Sequence, residues 1–273
     1  MWVNTFCVQY LSDTAGGTGG GGSTGTIGGG NPNPNTPTEE PIEFPTIPFE
    51  IPDPDHQKNC AELALNASNA SFTGRMQELS TATEGSIEKG FGIYNGSYAT
   101  PATSNPVVGV LLNGTTQNGP NIPYHPFQKG IAHNHLNNPI YKHIGVFSPK
   151  DMQTLNNLVS LTIQQSSHVK KHELVSYLVC NEGNYALKIS DDTKLYNFAL
   201  KYATNAKYRR TIEKFYNDNN ITHGKTKNDQ NKGFLKLLKD EDIGVRFYEA
   251  DANYQNWKEL ILDKSGAIIE NPC

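Results

Sequence analysis

A mixed α/β fold is expected from three features of this 273-residue sequence. Segments with helical apolar spacing alternate with short apolar runs of strand type, without the strict rhythm of repeated strand–helix–strand units. Hydrophobic residues make up 36% of the chain and charged residues 18%, enough for one ordinary core but not for burial along the whole length. The deficit is concentrated in residues 16–54, rich in Gly, Ser and Thr at first and then punctuated by Pro, as in Asn31-Pro32-Asn33-Pro34. Such a stretch buries too little apolar surface to offset its ordering entropy. Residues 1–54 are therefore expected to be a disordered lead, 55–194 a folded core, and 195–273 a C-terminal extension of helices and strands packing on that core.

The folded part is expected to begin near Asp55–Cys60. A helix follows over Ala61–Leu79, with Leu63, Leu65, Phe72, Met76 and Leu79 as its apolar set. Phe91–Tyr94 and Val107–Leu112 read as strands. Gly130-Ile131-Ala132-His133 reads as a short buried strand that stops at a histidine pair. Ser148-Pro149-Lys150-Asp151 opens a helix running to about Ile163, because Ser is a preferred N-cap and Pro suits the first helical position. Met152, Leu155, Leu158, Val159 and Ile163 continue it at helical spacing. Leu174–Cys180 and Tyr185–Ile189 flank Asn181-Glu182-Gly183-Asn184 and read as a hairpin. A long helix is expected over Asp192–Phe215, a shorter one around Phe234–Leu238, and late strands at Val245–Tyr248 and Ala267–Ile269.

Charge and composition exclude several function classes. A formal net charge of −4 gives no global pull toward nucleic acid or anionic lipid. The basic positions Lys207, Arg209, Arg210 and Lys214 read as a solvated helix face rather than a nucleic-acid site. No apolar run is long enough to span a membrane, and no signal peptide is legible. The low charged fraction and Gly/Pro lead suit an exported or surface-tethered protein, which leaves the compartment open. Cys7, Cys60, Cys180 and Cys273 are far apart with no CxxC pair, so a thiolate metal site is not expected. A Cys60–Cys273 or Cys180–Cys273 disulfide is compatible with export, and idle thiols are the other reading.

The chemistry-bearing stretch is Gly130-Ile131-Ala132-His133-Asn134-His135-Leu136, followed by Val146-Phe147-Ser148-Pro149-Lys150-Asp151. In an extended chain residues i and i+2 share a face, so His133 and His135 can aim two imidazoles at one point. Two imidazoles and a carboxylate form a common zinc set with an open fourth position, and Asp151 can supply the carboxylate. The contiguous His133-Asn134-His135 only superficially suggests a His-Asn-His nuclease, whose three residues lie apart in sequence.

The order Glu…His-x-His…Ser-x-x-Asp resembles the JAB/MPN (JAMM) zinc metallopeptidase motif, and the likeness covers about Cys60 to Ile189. It implies a JAB/MPN, cytidine-deaminase-like core with a central mixed sheet flanked by helices, over residues 55–194. It implies one zinc ion held by His133, His135 and Asp151. Glu88, in Ile87-Glu88-Lys89-Gly90-Phe91, takes the place of the family's catalytic base, with Glu84 as the weaker choice. Ser148 takes the place of the residue that helps hold the tetrahedral intermediate. The implied function is hydrolysis of a peptide or isopeptide bond in a peptide or protein substrate, in a bacterial branch of the family. The alternative is a non-catalytic JAB/MPN-like binding or scaffold domain. Two departures stand out. Leu136 replaces the usual Pro after the second His, and Ser148 lies thirteen positions after His135, about five more than is usual. The lengthened loop contains His143, read as a rim or surface residue, the alternative being a metal ligand in place of Asp151.

Overall fold

In the computed structural model of the chain, the described residues are 53–95, 106–115, 119–137, 144–165 and 169–273. All fall within one compact unit, Glu50–Cys273. Asp53 caps the first helix, α1 (Pro54–Ala67), by accepting from the N–H groups of Asp55 and His56, with Pro54 at its start. The single helix expected over Ala61–Leu79 is two. Asn69 turns its side chain back onto the N–H groups of Ser71 and Phe72, which ends α1 and starts α2 (Ala70–Ala82). A short amide in the middle of an apolar pattern thus offers the backbone a local partner that competes with the helix.

Nine strands are described, in the order β2-β1-β4-β5-β6-β7-β8-β9, with β3 also paired to β1. They are β1 (Lys89–Tyr94), β2 (Val107–Val108), β3 (Leu112–Asn113), β4 (Gln128–Asn134), β5 (Val175–Cys180), β6 (Gly183–Ile189), β7 (Val245–Ala250), β8 (Trp257–Leu262) and β9 (Ile268–Pro272). The expected strand over Val107–Leu112 is thus two short pieces, β2 and β3, both laid against β1. Every pairing is antiparallel except β4 with β5. A parallel pair needs a crossover, and α3 (Pro149–Gln165) makes it. The fold is therefore mixed α/β around a central mixed sheet.

The remaining helices are α4 (Asp192–Thr204), α5 (Ala206–Asp218) and α6 (Lys227–Asp240). The long helix expected over Asp192–Phe215 breaks at Asn205, whose N–H closes α4 and whose side chain caps α5. Strand β8 is absent from the sequence expectation, because Lys258 and Glu259 interrupt its apolar run. Residues 195–273 contribute β7, β8 and β9, which extend the same sheet from the β6 edge. No helix among the described residues is long and apolar enough to cross a membrane.

The sheet separates two apolar clusters. On one face α1 and α2 bury Leu63, Phe72, Met76 and Leu79 against Phe91, Tyr177 and Tyr248. On the other, Met152, Leu155 and Val159 of α3 pack with Phe198, Ile212 and Phe234 around Ile131, Leu178 and Phe247. Ile163, expected on the buried stripe of α3, is 61% exposed, and Thr162 takes the buried position in that turn. On α5, Tyr208, Ile212 and Tyr216 are buried, while Lys207, Arg210 and Lys214 lie on the exposed face.

Cys60 on α1 and Cys273 after β9 form a disulfide with Cα atoms 5.2 Å apart, and Cys180 is a buried free thiol. This decides between the two pairings that the sequence leaves open. The bond spans 213 residues, so it removes much freedom from the unfolded chain. A Cys60→Ser variant is expected to lose about 3–5 kcal/mol of stability, read as a lower denaturant midpoint than the oxidised wild type and a steeper slope, because its unfolded chain is less compact.

Candidate metal centre

His133 lies near the C-terminal end of β4, and His135 continues the strand by donating its N–H to Val179 O. Both imidazoles face α3, since Ile131, two residues earlier, packs in the α3 cluster and side chains repeat with period two. Ser148 begins α3 just beyond this edge. Its N–H donates to Asp151 Oδ2 at 2.7 Å, and its Oγ accepts from Asp151 N at 3.3 Å. This reciprocal cap fixes the Asp151 carboxylate at the helix start, where the exposed N–H groups favour negative charge.

The three side chains meet. His133 Nε2 is 3.2 Å from Asp151 Oδ1, and His135 Nε2 is 3.4 Å from Asp151 Oδ2. One ligand atom from each lies within 4.8 Å of the others. Two ligands about 2.0–2.1 Å from a tetrahedral ion sit about 3.3 Å apart, so these separations fit a zinc-sized ion with little motion. Two further observations suit the set to a metal. His133 Nε2 is buried and lies 3.2 Å from Asp151 Oδ1 without well-aligned hydrogen-bond geometry, a contact that a cation held between the two would satisfy better. His135 Nδ1 lies 2.8 Å from Ile144 O, so Nδ1 keeps its proton, and Nε2, which faces Asp151, is the nitrogen a metal would take once its proton is displaced.

Glu88 immediately precedes β1. Gly90 pairs with His133 across the strands, so two residues earlier Glu88 falls opposite His135 on the same face. Its charge acts on the His135 ring. Asn134 holds this end of β1, accepting from Lys89 N at 2.6 Å. Glu84, by contrast, is exposed and accepts from Asn137 Nδ2 at 3.0 Å. Gly90 is required by close approach, because a Cβ there would lie 2.6 Å from Ala132 O and 3.3 Å from His133 Cβ. A Gly90→Ala substitution is expected to cost about 1–3 kcal/mol and to displace His133, lowering metal affinity as well as melting temperature.

Electrostatics bind the cluster tightly. Burial opposes charge on Asp151, but the imidazoles of His133 and His135 outweigh it and hold the carboxyl well below its ordinary range. Burial likewise opposes protonation of His135, yet Asp151, with a contribution from Glu88, pushes its pKa up to about 9. A raised pKa means that this ion pair stabilises the metal-free fold fully below about pH 6.5 and that the contribution is lost as pH rises through about 9. A metal must therefore displace a proton at neutral pH. Calorimetric zinc titration at pH 7 in buffers of different ionisation enthalpy is expected to show about one proton released per ion. Release of none would mean that His135 is already neutral.

Several supporting groups leave no signal in sequence patterning. The Ile144 carbonyl, the Asn134 amide and the Tyr216 hydroxyl, which donates to Phe147 O at 2.9 Å just before Ser148, act through contacts across 9 to 69 positions of chain. Leu136, where the resemblance expects Pro, is buried. His143 lies outside the described residues.

The class that fold and site define is a mixed α/β protein with a two-histidine, one-carboxylate centre fit for a divalent ion. Comparison of the chain with family models, curated proteins and solved structures returns no match.

Proposed function

We propose that this chain is a zinc-dependent hydrolase of JAB/MPN (JAMM) type, acting on a peptide or isopeptide bond. The observation that carries this reading is the convergence of His133, His135 and Asp151 within 4.8 Å at a strand end, with Glu88 opposite His135. That edge lies beside β4–β5, where the sheet changes from antiparallel to parallel pairing.

A bound zinc ion supplies Lewis-acid activation of a water and of the scissile carbonyl. Glu88 accepts the proton of the attacking water and passes it to the leaving amine. The Ser148 hydroxyl, whose oxygen already accepts from Asp151 N, keeps its O–H to donate to the developing oxyanion. The Ile144 carbonyl holds the His135 ring in its tautomer. A cavity of about 560 Å³, lined by Ile144, Pro149, Tyr202, Tyr216 and Ile221 among others, lies against the segment that carries Ser148 and offers room for an apolar substrate side chain.

The Cys60–Cys273 bond supports an exported location, since disulfides persist in oxidising compartments. The deciding test is a peptide and isopeptide cleavage panel with and without chelator, on protein whose zinc content has been measured. Chelator-sensitive cleavage with about one zinc per chain is expected. Protein that binds no zinc and cleaves nothing would instead match the scaffold reading.

A further inference from the structure

We propose that His56, Cys60 and Cys273 form a second metal site, closed while the two sulfurs are bonded and opened to a zinc-class divalent ion when a thiol reductant separates them. His56 and Cys60 lie one turn apart on α1 and so share a face. Cys273 arrives from β9, and its N–H donates to Trp257 O at 3.0 Å. One ligand atom from each of the three residues lies within 4.8 Å of the others.

The imidazole is arranged as a ligand would be. Its Nδ1 is 2.8 Å from Glu259 Oε2, and its Nε2 is 3.4 Å from Cys60 Sγ and 3.3 Å from Pro272 O. His56 and Glu259 are both buried, at 9% and 6% exposure. Glu259 is steadied by Arg246, 3.4 Å away. A carboxylate behind one ring nitrogen, with the other turned toward sulfur, is the arrangement that orients histidine at metal centres. A disulfide has no need of it.

Geometry and charge both permit the opened state. Two sulfurs about 2.3 Å from a tetrahedral ion stand about 3.8 Å apart. Cysteines whose Cα atoms are 5.2 Å apart reach that spacing by side-chain rotation, leaving α1 and β9 in place. Two thiolates neutralise a dication, and a sulfur-rich set selects soft ions such as zinc over magnesium or calcium. A cavity of about 350 Å³ borders Cys60, Trp257, Pro272 and Cys273 and gives a reductant access.

The chemistry balances with a dithiol donor. Its thiolate attacks one sulfur, the S–S bond breaks, and the donor leaves as its own disulfide after giving two electrons. Cys60 and Cys273 are left as thiols. Metal entry then releases both thiol protons to solvent as two sulfur–metal bonds form.

The test uses the full chain, oxidised and then reduced with a phosphine that adds no competing thiol, titrated with Co²⁺ and with Zn²⁺. The reduced chain is expected to gain a thiolate-to-cobalt charge-transfer absorbance that the oxidised chain lacks, and to bind one more zinc than it. Cys60→Ser is expected to remove the absorbance, His56→Ala to weaken cobalt binding on the order of 10²-fold, and His133→Ala to leave it unchanged. Zinc is also expected to raise the melting temperature of the reduced wild type but not of reduced Cys60→Ser. Three results would overturn the proposal: a folded reduced chain without the absorbance, equal cobalt affinity in His56→Ala, or a reduced chain that unfolds and does not refold with zinc. Because the signal depends on sulfur and the His133–His135–Asp151 centre has none, failure of one site is distinguishable from failure of the other.

Discussion

Replacing Glu88 with Gln is expected to lower hydrolysis by about 10²–10⁴-fold while the chain keeps its zinc. Glutamine preserves the volume and one acceptor oxygen, so the packing beside Gly119, where a Cβ would come within 2.9 Å of Glu88 Oε2, is retained. What is lost is the ability to take a proton. The same substitution removes a charge that raises the pKa of His135. The His135 proton is then easier to displace, which offsets in part the loss of an anion beside the dication, so zinc content is expected to hold. The signature is a drop in kcat with undiminished zinc content. Full activity in the Gln variant would reject Glu88 as the base, and cleavage that persists under chelation would reject the mechanism as a whole.

Asp151→Asn is expected to weaken zinc binding by about 10²-fold or more, since a neutral amide replaces the anionic ligand of a dication. The amide oxygen still accepts from Ser148 N, so the start of α3 survives and loss of metal is not confused with loss of the helix. Asp151→Ala is expected to lose the ion and also about 1 kcal/mol of capping. In both variants the His135 pKa falls back from about 9, because the carboxylate that raises it is gone. His133→Ala is expected to match the loss of metal with no effect on the cap. Elemental analysis after dialysis against a weak chelator separates the outcomes. One zinc per chain in both Asp151→Asn and His133→Ala would place the metal elsewhere.

Much of the frame around this site is legible in the sequence. Helical and strand periods differ, so the apolar sets of β4, β5, β6 and α3 were readable one segment at a time. Ser148-Pro149 marked a helix start because capping is a local event within one turn. The helix breaks at Asn69 and Asn205 are not legible there, for the complementary reason. Each is a single amide inside an otherwise periodic run, and whether it caps or faces solvent depends on the chain folding back nearby. Strand β8 is hidden because Lys258 and Glu259 look polar in isolation, although Glu259 is buried against His56 and Arg246.

The same division runs through the candidate metal centre. That His133 and His135 share a face follows from a two-residue repeat, a covalent property of any extended chain. That Asp151 heads a helix follows from residues three positions apart. Their meeting does not follow from either. It depends on β5 pairing in parallel with β4, which obliges α3 to cross back over the sheet and start beside the strand end. That Glu88 rather than Glu84 falls opposite His135 depends on the register of β1 against β4, and the choice of Cys60 as the partner of Cys273 on β9 closing the far edge beside α1. Local patterns specify which side chains lie on one side of an element. Distances between elements are set by how the whole chain buries its apolar faces, and no window of sequence contains that sum.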